Sequence, residues 1–92
     1  MVIVILSKVA QKDLKKIPSY ILVMFDLWVE IIETDGFQTM QMIHGYRDHS
    51  LKGKLQGLRS SSLNKNWRII YKKNEATNIL TVEVLEINNH DY

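Results

Sequence analysis

A small α+β domain, ordered strand, helix, helix, strand, strand, strand, is the fold class this sequence predicts, on three observations. An unbroken run of β-branched residues and leucine fills residues 2–6, apolar residues at helical spacing fill most of 8–34, and three strand-length segments separated by short polar turns fill the last third. Elements segregated along the chain in this way pack as a helical hairpin on one face of a single twisted, mainly antiparallel sheet. With 92 residues the chain is expected to be one domain over 1–92 with one core, so any functional site lies on the surface of that core.

Val2 to Leu6 is apolar at every position, which suits a strand covered on both faces or one at the centre of a sheet. The run is too short for a signal peptide's core or for a bilayer crossing, so no membrane association is expected. Ser7 follows as a helix N-cap, since its hydroxyl oxygen can accept a hydrogen bond from a first-turn amide. Ala10, Leu14 and Ile17 then recur at helical spacing among Lys8, Lys12, Lys15 and Lys16, and Pro18 ends the pattern. Ser19 is a second N-cap candidate. From it Ile21, Leu22, Phe25, Trp28, Val29 and Ile32 form a wide apolar stripe that runs to Asp35-Gly36, where a glycine can take the left-handed conformation past the helix end.

Residues 37–54 show no clean period, and Gly45, Asp48, Ser50 and Gly53 make them a loop that delivers a basic segment. Three strands are expected near 55–63, 66–73 and 78–87. Their connections, Asn64-Lys65 and residues 74–78, are short enough to require antiparallel hairpins. In the middle strand Trp67, Ile69 and Tyr71 share one face and Arg68, Ile70 and Lys72 the other, so one face packs on the helices and the other is open to a ligand.

The net charge of +2 conceals an uneven distribution. Residues 44–73 hold eight Lys or Arg against one acid, whereas residues 74–92 hold four acids and no Lys or Arg. Such a stretch is either a solvated face or, with Tyr46, Trp67 and Tyr71 set among the charges, a surface that tracks phosphates and stacks bases. The chain has no cysteine, so it has neither disulfide nor thiolate metal site, and a cytoplasmic setting is the expectation. His44 and His49 flank Tyr46-Arg47-Asp48, but with His90 they make no metal-binding spacing, and no metal or other cofactor is expected. A Ser-His-Asp arrangement and a phosphate-cradling glycine loop are also missing from the pattern.

Several short motifs stand in a fixed order: Gly45-Tyr46-Arg47-Asp48, Leu51-Lys52-Gly53, Leu58-Arg59-Ser60-Ser61-Ser62-Leu63-Asn64, Trp67-Arg68-Ile69-Ile70-Tyr71 and the terminal His90-Asp91-Tyr92. In this order they resemble the RelE/ParE superfamily of bacterial toxins, nearest its HigB-like and YoeB-like ribonuclease members. The resemblance implies a RelE-like fold and the toxin of a type II toxin–antitoxin pair: a ribosome-dependent, metal-independent mRNA endonuclease that inhibits translation. Its partners would be a cognate antitoxin protein, in a hetero-oligomer, and the ribosome with its mRNA. Two alternatives share the fold, a ParE-like gyrase inhibitor and a catalytically weakened module that only binds antitoxin.

Metal-free RNA cleavage needs a base for the ribose 2′-hydroxyl, cationic donors for the phosphate and an acid for the departing 5′-oxygen. By the resemblance, His90 is the general acid or base and Tyr92 stacks on a base or orients the phosphate; otherwise both are an exposed tail. Arg68 either binds the scissile phosphate through its forked guanidinium or pairs with Glu83 or Glu86 on the next strand. Glu86 is a base or an ion-pair partner. Lys52, Lys54, Arg59 and Arg47 are candidates for holding the RNA backbone. Related ribonuclease toxins carry an arginine just before the Leu-Asn that is here Leu63-Asn64, and this chain has Ser62 there. Arg59, three residues upstream on a strand, would point to the opposite face and cannot replace it.

Overall fold

Five strands and three helices build the computed structural model of the chain, which describes residues 2–89. In chain order they are β1 (Val2–Leu6), α1 (Lys8–Leu14), α2 (Ser19–Asp35), α3 (Phe37–Met42), β2 (His49–Ser50), β3 (Arg59–Ser62), β4 (Arg68–Ala76) and β5 (Ile79–Asn88). The sheet order is β1-β5-β4-β3-β2, with β1 parallel to β5 and every other pairing antiparallel. The α+β class and the antiparallel run of the last three long strands are as expected.

The first strand differs from expectation. β1 is an edge strand, not a central one, and its burial alternates: Ile3 and Ile5 are 38% and 44% exposed while Val2, Val4 and Leu6 pack on the core. Its free edge is covered in part by side chains, because the Val4 amide donates to Glu33 Oε2 at 3.2 Å and Gln11 Nε2 donates to the Leu6 carbonyl.

Ser7 caps α1 as its sequence position implies, its hydroxyl accepting from the Ala10 amide at 3.0 Å while donating to the Leu85 carbonyl at 2.7 Å. α1 is shorter than its apolar spacing suggests, and Ile17 lies in the turn beyond it. Ser19 does not cap α2. Pro18 occupies that position in an extended conformation and offers its carbonyl to the Ile21 and Leu22 amides, which makes Ser19 the first helical residue. At the other end Gly36, at φ 103°, closes α2 and opens α3.

Residues 37–54, expected as a loop, contain α3, β2 and two 3-10 turns, His44–Tyr46 and Gly53–Leu55. α3 is only six residues long, with Phe37 and Met40 as its buried pair, so it spans too few turns to show a period in the sequence.

The core lies between the helices and one face of the sheet. Trp28 sits at its centre, stacked on Phe25 with ring centroids 6.1 Å apart and edge-on to Tyr71 at 5.4 Å. Ile69 and Tyr71 of β4 and Val82, Val84 and Ile87 of β5 complete the sheet's contribution. Val84 and Ile87 can share a face only because the register shifts between Ile70 and Tyr71: Ile70 pairs with Glu86 but Tyr71 pairs with Val84, so Leu85 is an extra residue. This β-bulge inverts the alternation of β5 and sends Glu86 and Asn88 to the face away from the helices. Contacts from α1 hold it, through Ser7 on the Leu85 carbonyl and the Ile87 amide donating to Asp13 Oδ2 at 2.9 Å. Among the described residues no helix is long and apolar enough to cross a membrane.

Candidate functional site

Directly opposed residues on neighbouring strands project to the same side, so the pairing register assigns the open face of the sheet. One row across it is His49, Ser60, Ile70 and Glu86; the next is Ser62, Arg68 and Asn88. Arg68 and Glu86 therefore share the open face, as the sequence requires of them if they act together, and Ser62 stands directly across from Arg68. Ser60, Ile70 and Asn88 on this face are buried, at 3%, 2% and 8% exposed, so the accessible part of the surface is Ser62, Arg68, Glu86 and the rim around His49. Glu83, one of the two carboxylates considered for Arg68, is opposite Lys72 and pairs with it at 3.4 Å. His90 and Tyr92 lie outside the described residues.

His49 is the residue that the sequence argument missed as a site candidate. It had been weighed only as a metal ligand, although its place at the head of the basic segment was the signal. It is exposed in β2, and with Ser50, Leu51, Lys52 and Leu55 it lines a cleft of about 370 Å³. Its Nδ1 is 2.7 Å from the Arg47 carbonyl oxygen. A carbonyl only accepts, so in the neutral imidazole this contact puts the ring proton on Nδ1 and leaves Nε2 as the acceptor. Arg47 takes the left-handed conformation, φ 45°, to turn its carbonyl this way. Lys52 is exposed in the same cleft, and Lys54 is exposed on the neighbouring 3-10 turn.

Arg59, expected on the RNA backbone, lies on the helix side of β3. It pairs opposite Tyr71 on the helix side, and its guanidinium is committed to the buried carboxylate of Asp48. The Asp48 side chain has no exposed surface, and Arg59 donates to its Oδ1 from Nε at 3.0 Å and from Nη2 at 2.6 Å. Gln41 Nε2 donates to the same oxygen at 3.3 Å. Oδ2 accepts from Ser61 Oγ at 2.6 Å and from the Tyr71 hydroxyl. Burial lowers the Arg59 pKa, but its hydrogen bonds to Asp48 and Tyr71 and the charge of Asp48 outweigh this and raise it overall. Tyr71 is raised far above the ordinary phenol value, by burial first and by Asp48 second, against the opposing pull of Arg59.

Among the described residues no three His, Asp or Glu side chains converge as a metal site requires. A surface groove of about 600 Å³ runs along α2 between Val23, Leu27 and Val29 and the acids Asp26, Glu30 and Glu33. Its charge is wrong for a phosphate chain, which leaves the open sheet face and the His49 cleft as the nucleic-acid candidate.

A family model described as the ParE toxin of the type II toxin–antitoxin system parDE matches residues 4–91. Among the solved structures that share the fold are three toxins of such systems. The YoeB/ParE toxin from Agrobacterium tumefaciens superposes with a TM-score of 0.74 at 12% identity, covering 97% of this chain and 99% of that one. YafQ from E. coli superposes at 0.72 with 17% identity, covering 98% and 94%. The toxin–antitoxin complex RelBE2 from Mycobacterium tuberculosis contains a chain that superposes at 0.65 with 23% identity, covering 96% of each. By sequence, no curated protein matches significantly.

Proposed function

This chain belongs to the ParE toxin family of type II toxin–antitoxin systems, and we propose that it is a ribosome-dependent mRNA endonuclease of the cytoplasm, held inactive by a cognate antitoxin. The observation that carries the reading is the joint placement of His49 and Arg68 on the open sheet face, within the segment that holds eight of the chain's twelve Lys and Arg residues. Strands lie about 4.8 Å apart, so His49 and Arg68, two strands apart, can reach towards one phosphate from opposite sides.

In this reading Nε2 of His49 accepts the proton of the ribose 2′-hydroxyl as that oxygen attacks phosphorus. Arg68 offers its forked N–H donors to the non-bridging oxygens as negative charge builds on them. The bond to the 5′-oxygen breaks, leaving a 2′,3′-cyclic phosphate and a 5′-hydroxyl, with the proton for the leaving oxygen supplied by His90. Glu86, on the same face, supports the charge of Arg68; Tyr92 stacks on a base; and Lys52, Lys54 and Arg47 hold the strand at the rim. Arg59 is left out of RNA contact. No step calls for a metal ion. The antitoxin partner is supported by the RelBE2 relative, which was solved as a toxin–antitoxin complex.

A second reading is favoured because the matched family is that of ParE: a ParE-like gyrase inhibitor, which needs no nuclease chemistry. The two part on one experiment. Purified protein is added to ribosomes programmed with mRNA and, separately, to a DNA supercoiling reaction. Cut mRNA with unaffected supercoiling is the expected result; intact mRNA with blocked supercoiling selects the gyrase inhibitor.

A further inference from the structure

We propose that Asp48 is a positioning residue for His49: its buried carboxylate fixes the short strand β2 on the sheet and thereby aims the imidazole. The proposal rests on the ribonuclease reading for its kinetic consequence, but its structural part stands alone.

β2 has two residues and two pairings, His49 with Ser60 and Ser50 with Arg59. So short an edge strand has little holding power of its own, and both of its residues are exposed. Asp48 supplies what the ladder lacks. Immediately before His49 it sinks a fully buried carboxylate that gathers donors from α3 (Gln41), β3 (Arg59 and Ser61) and β4 (Tyr71). A carboxylate that accepts hydrogen bonds at both oxygens, with a guanidinium forked on one of them, is fixed in rotation as well as in place. The chain on its other side is equally constrained. Arg47 is held left-handed, its amide donates to the His44 carbonyl at 3.0 Å, and its own carbonyl meets His49 Nδ1. Residues 47–49 thus form one unit in which backbone strain at Arg47 and the anchor at Asp48 present a single tautomer and orientation of His49 to the open face.

A purely structural role would make Asp48 matter for folding alone. The positioning role predicts a change at His49 in a folded variant. Asp48→Asn keeps the shape of the side chain, and the Ser61 and Tyr71 hydroxyls can turn from donating to accepting, so the network persists in weakened form. Three quantities are compared with wild type: long-range nitrogen NMR of the His49 ring, single-turnover mRNA cleavage at saturating ribosomes, and ribosome affinity. The expected result is loss of the Nδ1-protonated preference and about a 10²-fold slower cleavage step, with ribosome affinity and the hydrogen-exchange protection of β4 and β5 unchanged. A folded variant with the wild-type ring tautomer and wild-type cleavage rate overturns the proposal. If Asp48→Asn does not fold, Ser61→Ala carries the comparison, with an expected loss of about tenfold on removing one donor. Should wild type itself cut no mRNA, the ribonuclease reading falls, and the NMR comparison still decides whether Asp48 positions His49.

Discussion

Two residues show how far chemistry at a single position follows from its surroundings. Tyr71 ends β4's buried stretch with its hydroxyl on Asp48, and its folded-state pKa is raised. In the unfolded chain the phenol titrates near its ordinary value of 10.0. A folded pKa above the unfolded one means that the stabilisation is complete below pH 10.0 and is lost as pH rises through and beyond that value, since the unfolded state then releases a proton that the folded state keeps. Ultraviolet titration should therefore show the Tyr71 phenol ionising only together with alkaline unfolding, while in Tyr71→Phe that late absorbance step disappears; reversible titration of Tyr71 in the intact fold would contradict the buried network. Ser62 faces Arg68 across β3 and β4. An arginine there would add a second forked donor where phosphate charge develops, and such a donor is typically worth about 10²–10³-fold in rate. Ser62→Arg should raise mRNA cleavage accordingly and leave antitoxin affinity unchanged, whereas equal rates for both forms would mean that Ser62 does not occupy a catalytic position. That Ser62 and Arg59 lie on opposite faces was legible from strand alternation alone. The commitment of Arg59 to Asp48 was not, because the two are eleven positions apart and meet only when the residues between them fold back as β2 and β3.

At the scale of elements, long periodic segments were the most legible. The α2 stripe, its end at Gly36 and the hairpins of β3, β4 and β5 follow from spacing and turn residues. Elements whose character depends on neighbours were not. β1 is apolar at every position yet is an edge strand, since its burial is decided by the parallel pairing with β5, a contact between opposite ends of the chain. α3 is fixed by two buried side chains rather than by a repeating pattern. The bulge had a faint signature in Val82-Glu83-Val84-Leu85-Glu86-Ile87, where apolar residues double at Val84-Leu85 before alternation resumes on the other parity. The β4–β5 turn holds Thr77 and Asn78 at φ 45° and 66°, the positive pair that a two-residue primed turn demands. A β-branched threonine is poorly suited to that conformation, whereas asparagine tolerates it. Thr77→Asn should raise unfolding stability by about 0.5–1 kcal/mol, read as a higher urea midpoint at unchanged slope; a lower midpoint would show that the turn is not strained at Thr77.

For the whole molecule, the helices cover one face of the sheet and the basic segment is threaded through β2, β3 and β4, which puts Arg68 and His49 on the other face and Arg59 on the helix side. Family and fold were legible in the ordered motifs of residues 45–92. The site was legible only in part: Arg68, Glu86 and Ser62 fall on one face as alternation implies, His49 joins them only through β2, and His90 and Tyr92 stand outside the described residues. If the open face cleaves RNA, single-turnover cleavage of ribosome-bound mRNA by wild type and Arg68→Gln under identical conditions measures it most directly. Cleavage by wild type and a loss of about 10²–10³-fold in Arg68→Gln at equal ribosome affinity are expected. Equal rates in the two proteins, or no cleavage by wild type on ribosomes to which it binds, would contradict RNA cleavage by this face.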